Sequence, residues 1–154
     1  MKRFKYSLEN VLHYKEQILD SINAEHGILL AQIRKKEAEI QELENKLLSV
    51  QDKMDDLKKQ DVQIKDICLY GMYISEMEDQ IRKKQEQLKL LQQQEEKKKV
   101  QVIAAKIDTS RYEKLKDRRQ SEYEKAAKKA QELFIRRICF KNSQIFSKQG
   151  GNLG

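Results

Sequence analysis

The sequence contains no proline and no tryptophan, and three of its five glycines fall within the last five of its 154 residues. Tight turns lean on glycine and proline, so a globule built from many short elements is excluded. Hydrophobic residues make up 38% and aromatics 6%. That is enough for a narrow buried seam but not for a thick core with a catalytic pocket inside it. Nowhere do about 18 apolar residues run together, as a membrane-spanning helix requires. The start, "MKRFKYSLENVLHYKEQ", is basic but leads into no apolar segment, so no export leader is expected. The two cysteines are Cys68 and Cys139. On a single helix, at ~1.5 Å per residue, they stand roughly 100 Å apart, too far for a disulfide; free thiols fit a reducing cytosol. His13 and His26 lack the HExxH spacing and the cysteines form no CxxC, so neither a metal site nor a cofactor site is expected. There is no glycine-rich phosphate loop, and the neighbouring acids Asp55–Asp56 and Glu95–Glu96 are expected to face water. The residues predict no enzyme.

What the sequence does hold is charge, 37% of all residues with a net of +7, unevenly spread. Residues 37–79 are acidic on balance and residues 97–148 basic. Lys, Glu, Gln, Leu and Ile with so few breakers predict long helices. Stepping alternately four and three residues from Leu8 gives Leu8, Leu12, Lys15, Leu19, Ile22, His26, Leu29, Ile33, Lys36, Ile40, Leu43, Leu47, Val50, Met54, Leu57, Asp61 and Ile64. Thirteen of these seventeen are apolar, a coiled-coil seam of about eight heptads. Ser7 is placed to cap this helix, Gly27 weakens it locally, and His26 is a register-setting polar residue.

A second seam reads Tyr73, Met77, Ile81, Lys84, Leu88 and Leu91. It fades through "QQQEEKKKVQ", resumes at Val102, Ile103 and Ile107, and changes register at Tyr112, Leu115, Arg119, Tyr123, Ala126, Ala130 and Leu133. Between the seams, Lys58 and Lys59 suit a helix C-terminus and Asp66 the cap of the next helix. The predicted fold is therefore all-α: an antiparallel two-helix coiled-coil hairpin over 1–147. Helix 1 spans about 7–58, the turn about 59–66 with Gly71 as alternative, and helix 2 about 67–141, ahead of a disordered 148–154. Residue i then faces roughly 125–130 minus i, and the chain beyond about 122 overhangs its partner with Leu133, Phe134, Ile135, Ile138 and Phe140 uncovered. The alternative is one continuous helix of about 140 residues in a parallel dimer. The change of seam character at mid-chain favours the hairpin, which is a monomer when free.

The start "FKYSLENVLHYKE", the two long arms, and a second arm opening "LYGMYISEMEDQI" together resemble the FliJ family over roughly residues 4–140. The resemblance implies a hairpin similar to the rotary stalk of F-type and V-type ATPases, without catalytic activity or cofactor. It implies a cytoplasmic component of the bacterial flagellar type III export apparatus, held through protein partners at the inner membrane beneath the flagellum. Three partners follow from it: the pore of the hexameric export ATPase, whose assembly and activity it promotes; the membrane export-gate protein; and the export chaperones it cycles. Matched through the Tyr-x-x-aromatic-Ile run, the gate-binding residues fall on Tyr73, Met77, Gln80 and Lys84.

Those four step by four, three and four, so they line one helix face, beside a face formed by Tyr70, Ile74 and Ile81. A hairpin buries only one of the two, which leaves an apolar row near the hinge for a partner. The opposite end is basic, with Lys2, Arg3 and Lys5 near Lys114, Lys116 and Lys125. The expected ATPase-binding set is Phe4, Leu8, Arg118, Arg119, Leu133, Phe134, Arg137 and Ile138, charge guiding encounter and the overhang supplying the apolar anchor. Rival readings are a stalk protein of a virulence type III secretion system, a generic structural coiled coil, and a nucleic-acid binder. Sparse aromatic interleaving and the acidic mid-chain argue against the last, so no nucleic-acid partner is expected.

Overall fold

The computed structural model describes residues 2–61 and 63–150. Two helices account for most of them: α1, Glu9–Lys58, and α2, Ile64–Gly150. They pack antiparallel as an all-α helical hairpin. The contacts fall into two compact units. One comprises residues 18–106, the middle of the chain with both flanks of the reversal; the other joins residues 1–17 to residues 107–154.

No proline interrupts either helix, and Gly27 and Gly71 sit within them with open space where a Cβ would stand. Glu9 in the first turn of α1 and Lys58 in its last are the charges the helix dipole favours at those ends. The start of α1 differs from expectation. Leu8 O accepts the first helical bond, from Leu12 N at 2.9 Å, which puts Leu8 at the cap position. The Ser7 hydroxyl instead accepts from Arg119 Nη1 at 2.9 Å. The reversal is also tighter than 59–66, since α2 has already begun at Ile64. Asp66 thus lies inside its first turn, its N–H bonded to Gln63 O at 3.1 Å. Gly71 lies within α2 and turns nothing. α2 continues past the expected end at 141 to Gly150, so residues 148–150 are helical; the rest of the expected tail, 151–154, lies outside the described residues.

The α1 seam is as the heptads place it. Every position from Leu8 through Leu57 is at least partly buried, with Leu12, Ile33 and Ile40 in the core. Only Asp61 and Ile64, beyond the end of α1, are exposed. The α2 seam needs correction. It runs Ile67, Tyr70, Ile74, Met77, Ile81, Lys84, Leu88, Leu91, Glu95, Lys98, Val102, Ala105, Thr109, Tyr112 and Lys116, an unbroken alternation of three and four. Tyr73 lies beside this line, not on it, while Ile103 and Ile107 point outward and are about half exposed.

The apparent fading through "QQQEEKKKVQ" is a stretch where polar residues hold seam positions because α1 offers them partners. Glu95 Oε1 lies 2.8 Å from His26 Nε2, and Lys98 Nζ donates to Glu25 at 2.6 Å. Apolar pattern alone misses such a stretch, because a polar side chain can hold a seam position when its partner is at hand, fixing register at some cost in stability. Lys36 with Gln87 (3.1 Å) and Lys84 with Glu39 (2.9 Å) continue the ladder. In this middle unit the numbers of facing residues add to 121–123, a few below the expected 125–130, as the shorter connector requires.

The core is thin. Among the described residues seven hydrophobic ones are buried and no large side chain is completely so. The exposed surface is 12751 Å², against about 8,100 Å² for a compact monomer of this mass. Stability therefore rests on few side chains. Ile81→Ala is expected to cost about 2–4 kcal/mol in chemical denaturation, whereas Ile107→Ala, at a position the heptads also marked, changes stability by less than about 0.5 kcal/mol. Gly71→Ala is expected to stabilise by about 0.5–1 kcal/mol in the same measurement; a loss there would mean that the helix needs glycine to bend.

Candidate functional site

Two apolar surfaces are left open. The first belongs to the middle unit and follows from how α2 meets α1. With Tyr70, Ile74, Met77 and Ile81 turned into the seam, Leu69, Met72 and Tyr73 are turned out, each at least half exposed. They line a shallow groove with Ser75, Glu76 and Asp79, and a smaller one beside it is formed by Leu57, Asp66, Leu69 and Tyr70. The surface is apolar with an acidic border. Of the residues expected to bind the export gate, Tyr73 and Gln80 stand on it.

Met77 does not. It is 4% exposed, one of the two most deeply buried hydrophobic residues, and grips α1. Lys84 is likewise committed, as the donor to Glu39. Two of the four residues the resemblance points to, Met77 and Lys84, thus lie on the seam, where the spacing also has them. Leu69 and Met72, which share the outward face with Tyr73, were not singled out from the sequence. The signal was the spacing of Leu69, Met72, Tyr73 and Glu76 at i, i+3, i+4 and i+7, off the seam line.

The second surface belongs to the unit formed by the two ends of the chain. Here the segment ahead of α1 folds onto α2. Tyr6 is buried, donates its hydroxyl to Tyr112 O at 3.1 Å, and carries the Arg119 guanidinium 5.8 Å over its ring. Phe4 meets Tyr123 with ring centroids 5.5 Å apart, and the Tyr123 hydroxyl donates to Lys2 O. Lys15–Asp108 (2.7 Å) and Lys116–Glu9 (2.9 Å) tie the helices on either side.

This arrangement divides the expected ATPase-binding set. Phe4 and Arg119 make contacts within the hairpin, to Tyr123 and to Ser7 and Tyr6, and Leu8 is half-buried at the start of α1. Arg118 is exposed, and Leu133, Phe134, Arg137 and Ile138 stand fully beyond α1. Ala127 is the last residue of α2 with any shelter; every residue from 128 to 150 is exposed. The stripe that meets the N-terminal segment at Tyr123 runs on through half-sheltered Ala127 and then, without cover, through Ala130 and Phe134, which is 63% exposed, in a groove edged by Glu124, Lys128 and Gln131.

A hairpin whose seam continues past its own partner, together with a second apolar surface off the seam, defines a coiled-coil interaction protein. The model of the Flagellar FliJ protein family matches residues 4–134, and the chain belongs to that family. It is accordingly a component of the flagellar protein-export apparatus. Neither curated proteins nor solved structures give a match. No helix among the described residues is long and apolar enough to cross a membrane.

The cross-helix ion pairs give the hairpin a pH signature. The Lys84 ammonium bonded to Glu39 holds that carboxyl below its ordinary 4.5, with help from Lys36. Bonding to Asp108 raises Lys15 above 10.5, and bonding to Glu9 does the same for Lys116. A carboxylate lowered in the folded state contributes stability above its unfolded value and loses it as pH falls through the folded one; a raised lysine contributes below its unfolded value and loses it as pH rises through the folded one. All three contributions are therefore whole between about pH 5 and pH 10. Between about pH 6 and about pH 3, the thermal midpoint of Glu39→Gln is expected to fall less than that of the parent in melts followed by circular dichroism. An equal fall would mean that the Glu39–Lys84 pair carries no such linkage.

Proposed function

We propose that residues 128–138 of α2 enter the pore of the hexameric flagellar export ATPase and promote its assembly and activity. The surface of Leu69, Met72, Tyr73 and Gln80 binds the membrane export-gate protein, and the same chain takes part in cycling export chaperones. On this reading it works in the cytoplasm, peripheral to the inner membrane, held there by its protein partners.

The observation that carries the reading is the uncovered continuation of the seam. A coiled-coil stripe built of Tyr123, Ala127, Ala130, Phe134 and Ile138 has its first residues packed and its last ones exposed, which is the form of a surface completed by another protein. Its cations, Lys125, Lys128, Lys129 and Arg137, steer it toward an acidic lining. The gate assignment rests on a different property. Tyr and Met give large, adaptable contact area, and their acidic border of Asp66, Glu76 and Asp79 suits a basic segment.

The two contacts separate in a pull-down with both partners. Phe134→Asp combined with Ile138→Asp is expected to weaken ATPase capture roughly thirtyfold, the effect of losing a buried hot spot, and to abolish ATPase stimulation with helicity and gate binding intact. Tyr73→Asp is expected to do the reverse. Unchanged stimulation in the double variant overturns the ATPase contact, and unchanged gate capture in Tyr73→Asp overturns the other.

A further inference from the structure

The helix continues past the end of the family match at residue 134, and its composition changes there. Residues 133–150 contain Arg136, Arg137, Lys141 and Lys148 and not one Asp or Glu. They also expose Ile135, Ile138, Phe140, Ile145 and Phe146, all between 43% and 76%. At helical spacing, Ile135, Ile138, Ile145 and Phe146 lie on one side with Asn142 between them. Arg136, Arg137 and Lys148 lie on the other and Lys141 at the border, with Leu133 and Phe140 set among these cations.

Two features decide what covers such a helix. The first is charge. A second copy would bring four more cations against these four with no acid to answer them, a like-charge juxtaposition that opposes association. An anionic surface answers all four at once. The second is the width of the apolar arc. A partner helix covers a narrow stripe of a and d positions, and a stripe along Phe134, Ile138 and Ile145 leaves Ile135 and Phe146 in water. A lipid headgroup boundary takes up the whole arc, while the long Lys and Arg stems lie along the apolar body and keep their charges at the phosphates. No helix among the described residues is long and apolar enough to cross a membrane, and an amphipathic helix of this kind meets a bilayer in the plane of its headgroups.

We propose that residues 135–150 of α2 form a cationic amphipathic helix that binds the surface of membranes containing anionic phospholipid. The contact goes beyond the ATPase and gate reading. It shares Arg137 and Ile138 with the ATPase contact, so a given molecule makes one or the other there. It is tested at Lys141, Ile145, Phe146 and Lys148, which the ATPase contact does not use.

The test is co-sedimentation of the full chain with vesicles of phosphatidylcholine alone and with vesicles of phosphatidylcholine and phosphatidylglycerol mixed three to one. The full chain is expected to bind the mixed vesicles, to bind the neutral ones at least roughly tenfold more weakly, and to lose binding as salt is raised. Ile145→Asp with Phe146→Asp is expected to abolish binding, and Lys141→Gln with Lys148→Gln to weaken it. Neither pair touches a residue that packs on the rest of the chain, so helicity and ATPase stimulation should be preserved in both. Equal binding to both kinds of vesicle, no binding to either, or undiminished binding by the Asp variant overturns the proposal. So does a concentration-dependent dimer in light scattering that the Asp variant dissolves and anionic vesicles leave intact, which assigns the face to a second copy.

Discussion

Everything in this protein depends on one constraint: each helix has a single face to bury, and the other helix is what it buries that face against. Without proline in either arm, and with glycine in their interiors only at two unstrained positions, neither can bend back on itself to build a core. A long amphipathic helix alone in water is marginal, so α1 and α2 hold each other in shape through one shared line of side chains. The thinness of the core, the large exposed surface and the freedom of every off-seam residue to meet a partner all follow.

The same constraint explains where the open surfaces lie. Near the reversal the seam takes Tyr70, Ile74, Met77 and Ile81, and the apolar residues in excess of what one face holds, Leu69, Met72 and Tyr73, are turned to the outside. In the unit formed by the chain ends, α2 is simply longer than what precedes and forms α1, and its seam residues from Ala130 onward have nothing of this chain to meet. Neither surface is a pocket. Both are remainders of the pairing, which makes them suited to large protein or membrane partners.

The α1 seam was legible from spacing alone because its polar members, Lys15, His26 and Lys36, are isolated among leucines and isoleucines. The middle of α2 was not, because Glu95 and Lys98 are seam positions only by virtue of His26 and Glu25 opposite them. A pattern read along one strand of the chain cannot see a partner on the other. Nor could spacing decide between the Tyr73–Met77 face and the Tyr70–Ile74–Ile81 face of α2: a row of residues at helical spacing is a face, but which face turns inward is fixed by the neighbouring helix. Tyr6 and Phe4, which precede α1 and pack on α2 all the same, carry no periodic signal at all. Their aromatic character was the one hint available. The long uncovered end of α2 was legible, because it follows from the unequal lengths of the arms.

The polar rungs of the seam have a mechanical consequence. Sliding one helix past the other by a heptad would set His26 against Leu88 or Val102 and Glu39 against Leu91 or Met77, stranding polar groups on hydrocarbon. Leucines alone would tolerate that slip, one being much like the next. The hairpin is therefore keyed against shear, and a push or twist delivered to one arm is passed to the other as in a splined shaft, without the two creeping out of step.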